Sequence, residues 1–496
     1  MNVVGIGGGR RSGAAAVVKA GQLVGVCAQE RVTRARDAGV NASGLPDEAL
    51  DLLLQRLGLS RGSVDRWMAA DGDGGGAPAT FERVDHHFAH AATAYLTSPF
   101  SSSAVVVCDH DAPEVSVWTG DGAVVQRVPW SWTGPGFARL LSICGAALGL
   151  NPVDADRRLA ALAQLQPSSR DARVNPLIGR DADGLAVAAD LEQQVRAIAA
   201  AESAGKVPAA LAAALQARIT DLLVEFLSEV RVRTGLPRLC LGGSLFYNSS
   251  VNTRVKLSGH FSDVFVPPDP GDGGNAVGAA LSASATRIDS ASPFLGPAYS
   301  AQETKEVLDN CKLQYEWVSE EGAVAAALKG IEQGHLVGWF QGPMEWGPRA
   351  LGARSILANP QAPYVLENLN RFLKQRESWR GYAVSGLQEA VSAHFDGPTE
   401  APFMECEYLP RNPATFRPLL PAPGAALRVH TVSPAAHPMF RRLLEAVGHS
   451  TGVPFLVNTS FNGFHEPIVC SPRDAIRVFY GSGLDLLVLD QFIIRK

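Results

Sequence analysis

From Leu336 to Phe340 the chain is an apolar run, and it breaks at once into Gln-Gly-Pro-Met-Glu-Trp-Gly-Pro-Arg-Ala-Leu-Gly-Ala-Arg. The run reads as a buried strand, and the glycine and proline alternation around Glu345, Arg349 and Arg354 reads as a loop. A strand therefore ends in a loop that presents cations. Glycine lets a backbone approach a ligand closely, and a guanidinium meets planar or phosphate oxygens with several donors at once. The same composition also suits a surface loop with solvated arginines.

Three downstream segments bear on that choice. Lys374, Arg376 and Arg380 lie in Asn-Arg-Phe-Leu-Lys-Gln-Arg-Glu-Ser-Trp-Arg, Arg428 in Leu-Arg-Val-His-Thr-Val, and Ser460 and Asn462 in Val-Asn-Thr-Ser-Phe-Asn-Gly. With Arg349, these residues and their spacing resemble the YrdC-like carboxy-terminal half of the antibiotic and nodulation O-carbamoyltransferases of the NodU/CmcH type. The resemblance implies an α/β chain with a duplicated ASKHA (actin and sugar-kinase-like) domain over residues 1–285 and a smaller YrdC-like α/β domain over 301–496; between them 286–300, rich in Ser, Ala and Pro without periodicity, reads as the linker. It further implies that Arg349, Lys374 and Arg380 act in catalysis. With Arg428, Ser460 and Asn462 they would bind carbamoyl phosphate and ATP and form carbamoyl adenylate.

A chain of 496 residues is too long for one ordinary domain, and two or three are expected. Its 46% apolar and 19% charged residues are those of a soluble globular protein. A net charge of -5 gives no reason to expect a nucleic-acid partner, so any basic site must be concentrated. The seven cysteines are scattered without a CxxC pair, which suggests neither a disulfide framework nor a thiolate zinc site. With no signal-peptide pattern and no run of about twenty apolar residues, the expectation is a cytoplasmic protein with no membrane partner.

The amino terminus reads as strand, glycine turn, strand: Asn2 to Ile6, Gly7 to Gly13, Ala14 to Val18. In ASKHA domains such a turn approaches nucleotide phosphates, although a plain hairpin turn would look the same. The resembling family carries a His-Asp pair here, and this chain has Arg11 and Ser12. Gln29 to Arg36 resembles the family's Glu-Arg-x-Thr-Arg stretch, and an amphipathic helix is expected from Asp47 to Leu57.

His86-His87-Phe88-Ala89-His90 is the second strong signal. One helical turn separates His86 from His90, so on a helix both imidazoles leave one face about 6 Å apart and can share a metal ion. A pair satisfied by backbone carbonyls is the alternative. Ser103 to Cys108 reads as a strand whose carboxyl end carries Asp109, where α/β folds place ligands. Leu239 to Asn248 runs from a strand into a double glycine, and Gly242, Gly243 and Asn248 resemble a nucleotide-binding stretch. Gly271 and Gly273 flank Asp272, which would set its carboxylate beside phosphate or metal. The resemblance makes His86, His90, Asp109 and Asp272 the metal ligands. Two imidazoles and two carboxylates suit iron(II), manganese or zinc better than calcium, and the family makes iron the leading expectation. Magnesium would accompany the nucleotide.

Between Phe137 and Val232 the pattern is mostly helical. The family's Gly-Lys-x-Met-Gly-Leu-Ala segment has its nearest counterpart in Asp156 to Ala163, without the glycines or the lysine. A long helix starting near Pro208 and stopping before Gly235 reads as scaffold. Leu484 to Ile494 reads as a last apolar strand.

The function implied is O-carbamoyl transfer: adenylation in the carboxy-terminal half, then attack by a hydroxyl of a small natural product or sugar in the ASKHA half. Arginine at position 11 cannot serve as a base at neutral pH, which leaves His87, His110 and Asp111 as proton acceptors. A weakened accessory subunit is the alternative, and a tRNA threonylcarbamoylation enzyme is a more remote one. The acceptor's identity is not written in the sequence, and a homodimer is admitted.

Overall fold

The computed structural model describes residues 1–72, 76–203, 208–434 and 436–496, which form a mixed α/β protein. In the first sheet, β1 (Asn2–Gly7), β2 (Ala14–Lys19) and β3 (Gln22–Ala28) are antiparallel neighbours, and β4 (Arg66–Ala70) and β5 (Glu82–Val84) add in parallel on the other side of β1. In the next, β6 (Ser102–Cys108), β7 (Val115–Asp121) and β8 (Val124–Val128) form the antiparallel side. A short separate hairpin, β9 (Ile178–Asp181) and β10 (Gly184–Val187), precedes the parallel strands β11 (Arg238–Gly242) and β12 (Asp263–Phe265). The orders β3-β2-β1-β4-β5 and β8-β7-β6-β11-β12 are one plan used twice. This is the duplicated ASKHA arrangement.

The helices His86–Leu96 and Asn275–Ser284 lie against each other between the two sheets. Gly278 permits that approach, because a Cβ there would stand 2.1 Å from the Ala89 carbonyl oxygen. The packing fixes where both helices begin, and each beginning carries metal-type ligands.

The carboxy-terminal part holds one ten-stranded sheet. Its strands are β13 (Glu316–Trp317), β14 (Val337–Phe340), β15 (Arg354–Ala358), β16 (Ala383–Leu387), β17 (Phe395–Asp396), β18 (Cys406–Pro410), β19 (Leu427–Val432), β20 (Phe455–Ser460), β21 (Leu486–Leu489) and β22 (Phe492–Arg495). They run in the order β13-β22-β21-β14-β15-β20-β16-β19-β18-β17. Alternation along β14 sends Trp339 to the face covered by the helices Glu320–Glu332 and Pro438–Thr451. Phe340 goes to the opposite core with Phe395, Phe416 and Phe455.

One sequence reading needs correction. Leu484 to Ile494 is not one strand but the hairpin β21–β22, because the polar pair Asp490-Gln491 turns the chain, with Asp490 at φ 48°. Its carboxylate then accepts from Gly342 N at 3.0 Å. The described residues between Phe137 and Val232 are mostly helical as expected, with turns and the β9–β10 hairpin between the helices. The long helix is Ala209–Thr234, closed by Gly235 at φ 68°.

Between Ser284 and Ala301 the chain has no regular element, but it is stitched on both sides. Ile288 N donates to Leu96 O at 2.7 Å and Val26 N to Leu295 O at 2.9 Å, while Gly296 N reaches Met344 O at 2.8 Å and Trp346 Nε1 reaches Ser292 O at 3.0 Å. The two parts also touch directly. Arg31 donates to Gly347 O at 2.9 Å, and Arg34 to the carbonyls of Ile468 and Pro467 at 2.5 and 2.6 Å. All seven cysteines are free, and among the described residues no helix is long and apolar enough to cross a membrane.

Candidate metal centre and cationic pocket

Asp85 caps the His86–Leu96 helix by accepting from Phe88 N, so the helix starts at His86 and stacks His90 one turn above it. The strand end of β6 supplies Asp109, and the glycine-flanked turn before the Asn275 helix supplies Asp272. The four ligand atoms lie within 4.8 Å of one another. His86 Nε2 is 3.1 Å from Asp109 Oδ2 and 3.6 Å from Asp272 Oδ1, and His90 Nε2 is 3.5 and 3.4 Å from the same atoms.

The opposite ring nitrogens decide the tautomers. His86 Nδ1 is 2.9 Å from Asp71 O and His90 Nδ1 is 3.0 Å from Pro270 O. A carbonyl can only accept, so both Nδ1 atoms carry hydrogen and both Nε2 lone pairs face inward, 3.1 Å apart. Two facing lone pairs repel unless a cation lies with them. Asp272 Oδ1 is buried without a hydrogen-bond partner, and it too faces the cluster. This donor set fits a divalent cation of the iron, manganese or zinc kind.

Without a metal, the site draws protons instead. Burial pulls His90 down, but the Asp109 and Asp272 carboxylates outweigh it and hold the imidazole at about 10. Burial pushes Asp109 up, and His86 and His90 overcome it to keep the carboxyl well below the usual range. Asp111 stands close by, its Oδ2 3.6 Å from His86 Nε2, and Asn275 Nδ2 is 3.2 Å from His90 Nε2.

The other proton-acceptor expectations separate by burial. His87 is buried, bonded to Ser116 Oγ at 2.7 Å and 3.2 Å from Asp111 O, and burial lowers it to about 4. His110 is exposed, between Ser244 Oγ at 2.8 Å and Ser142 Oγ at 3.0 Å. In the first turn Arg11 is exposed, and Ser12 takes φ 55°.

The cationic residues of the carboxy-terminal part gather into one partly buried cluster, the cationic recess. Lys374 ends the π-helical stretch Asn368–Lys374 and is locked by Ser460 O at 2.7 Å, Asn462 O at 3.1 Å and the Asn462 Oδ1 atom. Burial drives its pKa well down, and Arg376 and Arg36 push the same way. Burial likewise lowers Arg380 to about 10, with Arg376 adding to it. Arg428 is lowered by burial and by Arg380, and Arg349 by burial, Arg428 and Arg157. Each cation thus lies within electrostatic reach of the next, from Lys374 through Arg376, Arg380 and Arg428 to Arg349. The half-buried Glu407 faces Arg428 and Arg349, but Ser249 Oγ at 2.8 Å and Gln164 Nε2 at 2.7 Å occupy its oxygens. The recess keeps an excess of positive charge, which is what phosphate oxygens neutralise.

The glycines expected to cradle a nucleotide are packed against protein. A Cβ at Gly242 would meet His90 O at 2.9 Å, at Gly243 Cys108 O at 2.1 Å, at Gly271 Tyr247 Oη at 2.3 Å, and at Gly273 Asp269 Oδ2 at 2.6 Å. These four admit the cluster's own close contacts. Asn248 caps the Ser249–Lys256 helix, accepting from Ser250 N and Val251 N, and donates to Gln216.

Sequence reasoning passed over three residues that join the two sites. Tyr247 donates its hydroxyl to Asp269, and its carbonyl accepts from Arg349 Nη2 at 2.8 Å. The guanidinium of Arg157 lies 5.2 Å from the centre of the Tyr247 ring. Asp269 sits between two prolines and so reads as loop; its nearness to Asp272 was the available signal.

Fold and site together define a two-part α/β protein with a duplicated five-stranded lobe, a metal-type ligand cluster in that lobe and a group of neighbouring cations in the other part. Residues 180–281 match the carbamoyltransferase amino-terminus family and residues 328–496 the carbamoyltransferase carboxy-terminus family. The nodulation protein NolO of Bradyrhizobium diazoefficiens is 32% identical over 446 residues, covering 83% of this chain and 79% of its own. A 3'-hydroxymethylcephem-O-carbamoyltransferase of Streptomyces clavuligerus is 30% identical, covering 73% and 72%. An uncharacterised Synechocystis protein is 32% identical, covering 83% and 76%. The chain belongs to the carbamoyltransferase family.

Proposed function

We propose that this protein is an ATP-dependent O-carbamoyltransferase that works in two steps. In the carboxy-terminal part, Arg349, Lys374, Arg380 and Arg428, with Ser460 and Asn462, hold carbamoyl phosphate and the magnesium complex of ATP. Water displaces inorganic phosphate from carbamoyl phosphate to leave carbamate, and a carbamate oxygen attacks the α-phosphorus of ATP, forming carbamoyl adenylate and releasing pyrophosphate. In the duplicated lobe, a hydroxyl of a small natural product or sugar attacks the carbamoyl carbon and AMP leaves. The observation that carries the reading is the run of mutually repelling cations around one recess, which no purely structural role requires. The relation to a cephem O-carbamoyltransferase supports the acceptor class.

His86, His90, Asp109 and Asp272 would hold the divalent cation, iron being the leading expectation. When bound it supplies a Lewis acid for phosphate or carbonyl oxygen. The chain's own part is to orient both imidazoles through Asp71 O and Pro270 O and to keep the cluster's interior charge negative. Seven unpaired thiols support a reducing, cytoplasmic setting.

The test is exchange of labelled pyrophosphate into ATP in the presence of carbamoyl phosphate. Exchange that depends on carbamoyl phosphate is expected, and its absence would end the adenylation reading. The exposed Arg11 in the first turn, which offers no base, favours a second reading, an accessory subunit weakened in transfer. Exchange without transfer to any hydroxyl acceptor would select it.

A further inference from the structure

The Ala155–Ala163 helix belongs to the amino-terminal part, yet it is fastened to the rim of the cationic recess. Arg158 pairs with Glu377, and Asp154 Oδ2 is 3.9 Å from Arg380 Nη1. Gln164, just past the helix, donates to Glu407 Oε2 at 2.7 Å and accepts from Ala426 N at 3.0 Å. These contacts place the helix against the segments that carry Arg380 and Arg428. Between Arg158 and Asp154 the same helix presents Arg157.

Arg157 is exposed, and no ion pair of it is found among the described residues. Its guanidinium rests over the Tyr247 ring, while Arg349 bonds the carbonyl of that same tyrosine. Two guanidinium groups thus share one tyrosine. The carboxylate that acts on Arg349, Glu407, is already bonded to Ser249 and Gln164. Like charges held in this way, with the aromatic face as a platform, are paired by an incoming anion.

We propose that Arg157 is an anion-binding residue of the cationic recess, supplied by the amino-terminal part, and that it grips a phosphate group reaching past Arg349 towards Tyr247. The proposal rests on the function proposed above. It makes the phosphate site composite: the carboxy-terminal part holds most of the cations, and the Ala155–Ala163 helix closes it. Carbamoyl phosphate and the nucleotide's phosphate chain share the chemistry recognised.

The test uses the full chain and calorimetric binding of pyrophosphate and inorganic phosphate at fixed ionic strength. For Arg157→Ala we expect pyrophosphate binding about tenfold weaker, and for Arg157→Lys a smaller loss, as for removal or replacement of one charge-assisted contact. Manganese binding at the His86 cluster should stay as in the wild type, showing the lobe intact. Loss of pyrophosphate but not phosphate binding assigns Arg157 to the nucleotide chain, and loss of both assigns it to a phosphate common to the two substrates. In exchange assays the corresponding KM should rise more than kcat falls. Arg157→Ala binding both anions as tightly as wild type would overturn the proposal while leaving the adenylation reading standing. A wild-type protein that binds neither anion would overturn both.

Discussion

Arg349 donates to the backbone carbonyl of Tyr247 across the boundary between the two parts, at 2.8 Å, and the hydroxyl of that tyrosine holds Asp269 at the base of the metal loop. Burial raises the Asp269 carboxyl to about 6, although the hydroxyl lowers it. Because this lies above the ordinary 3.8, the carboxyl favours the fold at low pH and that contribution is lost as pH rises through about 6. Tyr247→Phe removes the donor and raises the carboxyl further. Its stability deficit against wild type should be about 1–2 kcal/mol larger at pH 8 than at pH 4, measured by urea unfolding.

Lys374 reaches Ser460 and Asn462 with its ammonium and is almost fully enclosed. Lys374→Ala should abolish carbamoyl-phosphate-dependent ATP–pyrophosphate exchange, a fall of about a hundredfold or more, as when a preorganised cation is removed from developing charge. Undamaged exchange would remove Lys374 from the site.

The metal cluster should be strongly linked to protons. In the metal-free protein His90 titrates at about 10 rather than 6.5, so its protonation stabilises the fold below about pH 6.5 and is lost as pH approaches 10. Metal binding must displace that proton, so manganese or zinc affinity should climb with pH across the same window. His90→Ala should weaken metal binding by about two orders of magnitude or more and flatten this dependence. Calorimetry at several pH values reads both effects.

Gly347 sits at φ 91°, and a Cβ there would stand 2.4 Å from Pro268 O. The loop that carries Arg349 and the loop that carries Asp272 touch at this point, backbone to backbone. Gly347→Ala should cost about 2–4 kcal/mol through left-handed strain and overpacking together. Chemical denaturation measures it, and a change under 1 kcal/mol would show the contact to be looser than its geometry.

The pairing of His86 with His90 could be read from helical i, i+4 spacing, whereas Asp109 at a strand end and Asp272 between glycines joined the set through the resemblance, and the four do converge. The five-strand plan of each lobe was legible only through resemblance, because periodicity gives strands and not their order. Arg157 was invisible for a physical reason. Its helix shows an apolar spacing that explains Leu159 and Leu162, and nothing local says that Arg158 and Asp154 dock onto residues more than two hundred positions away. The turn at Asp490 was hidden by the apolar runs on either side, which mask a single polar pair.

The stretch from 286 to 300 was read as a tether, yet its backbone bonds to Leu96 and Val26 on one side and to Met344 and the Trp346 ring on the other. A strip of chain tied to both neighbours acts as a seam. A single protease cut within it should leave the two fragments co-eluting under native conditions, parting only when denaturant dissolves the seam.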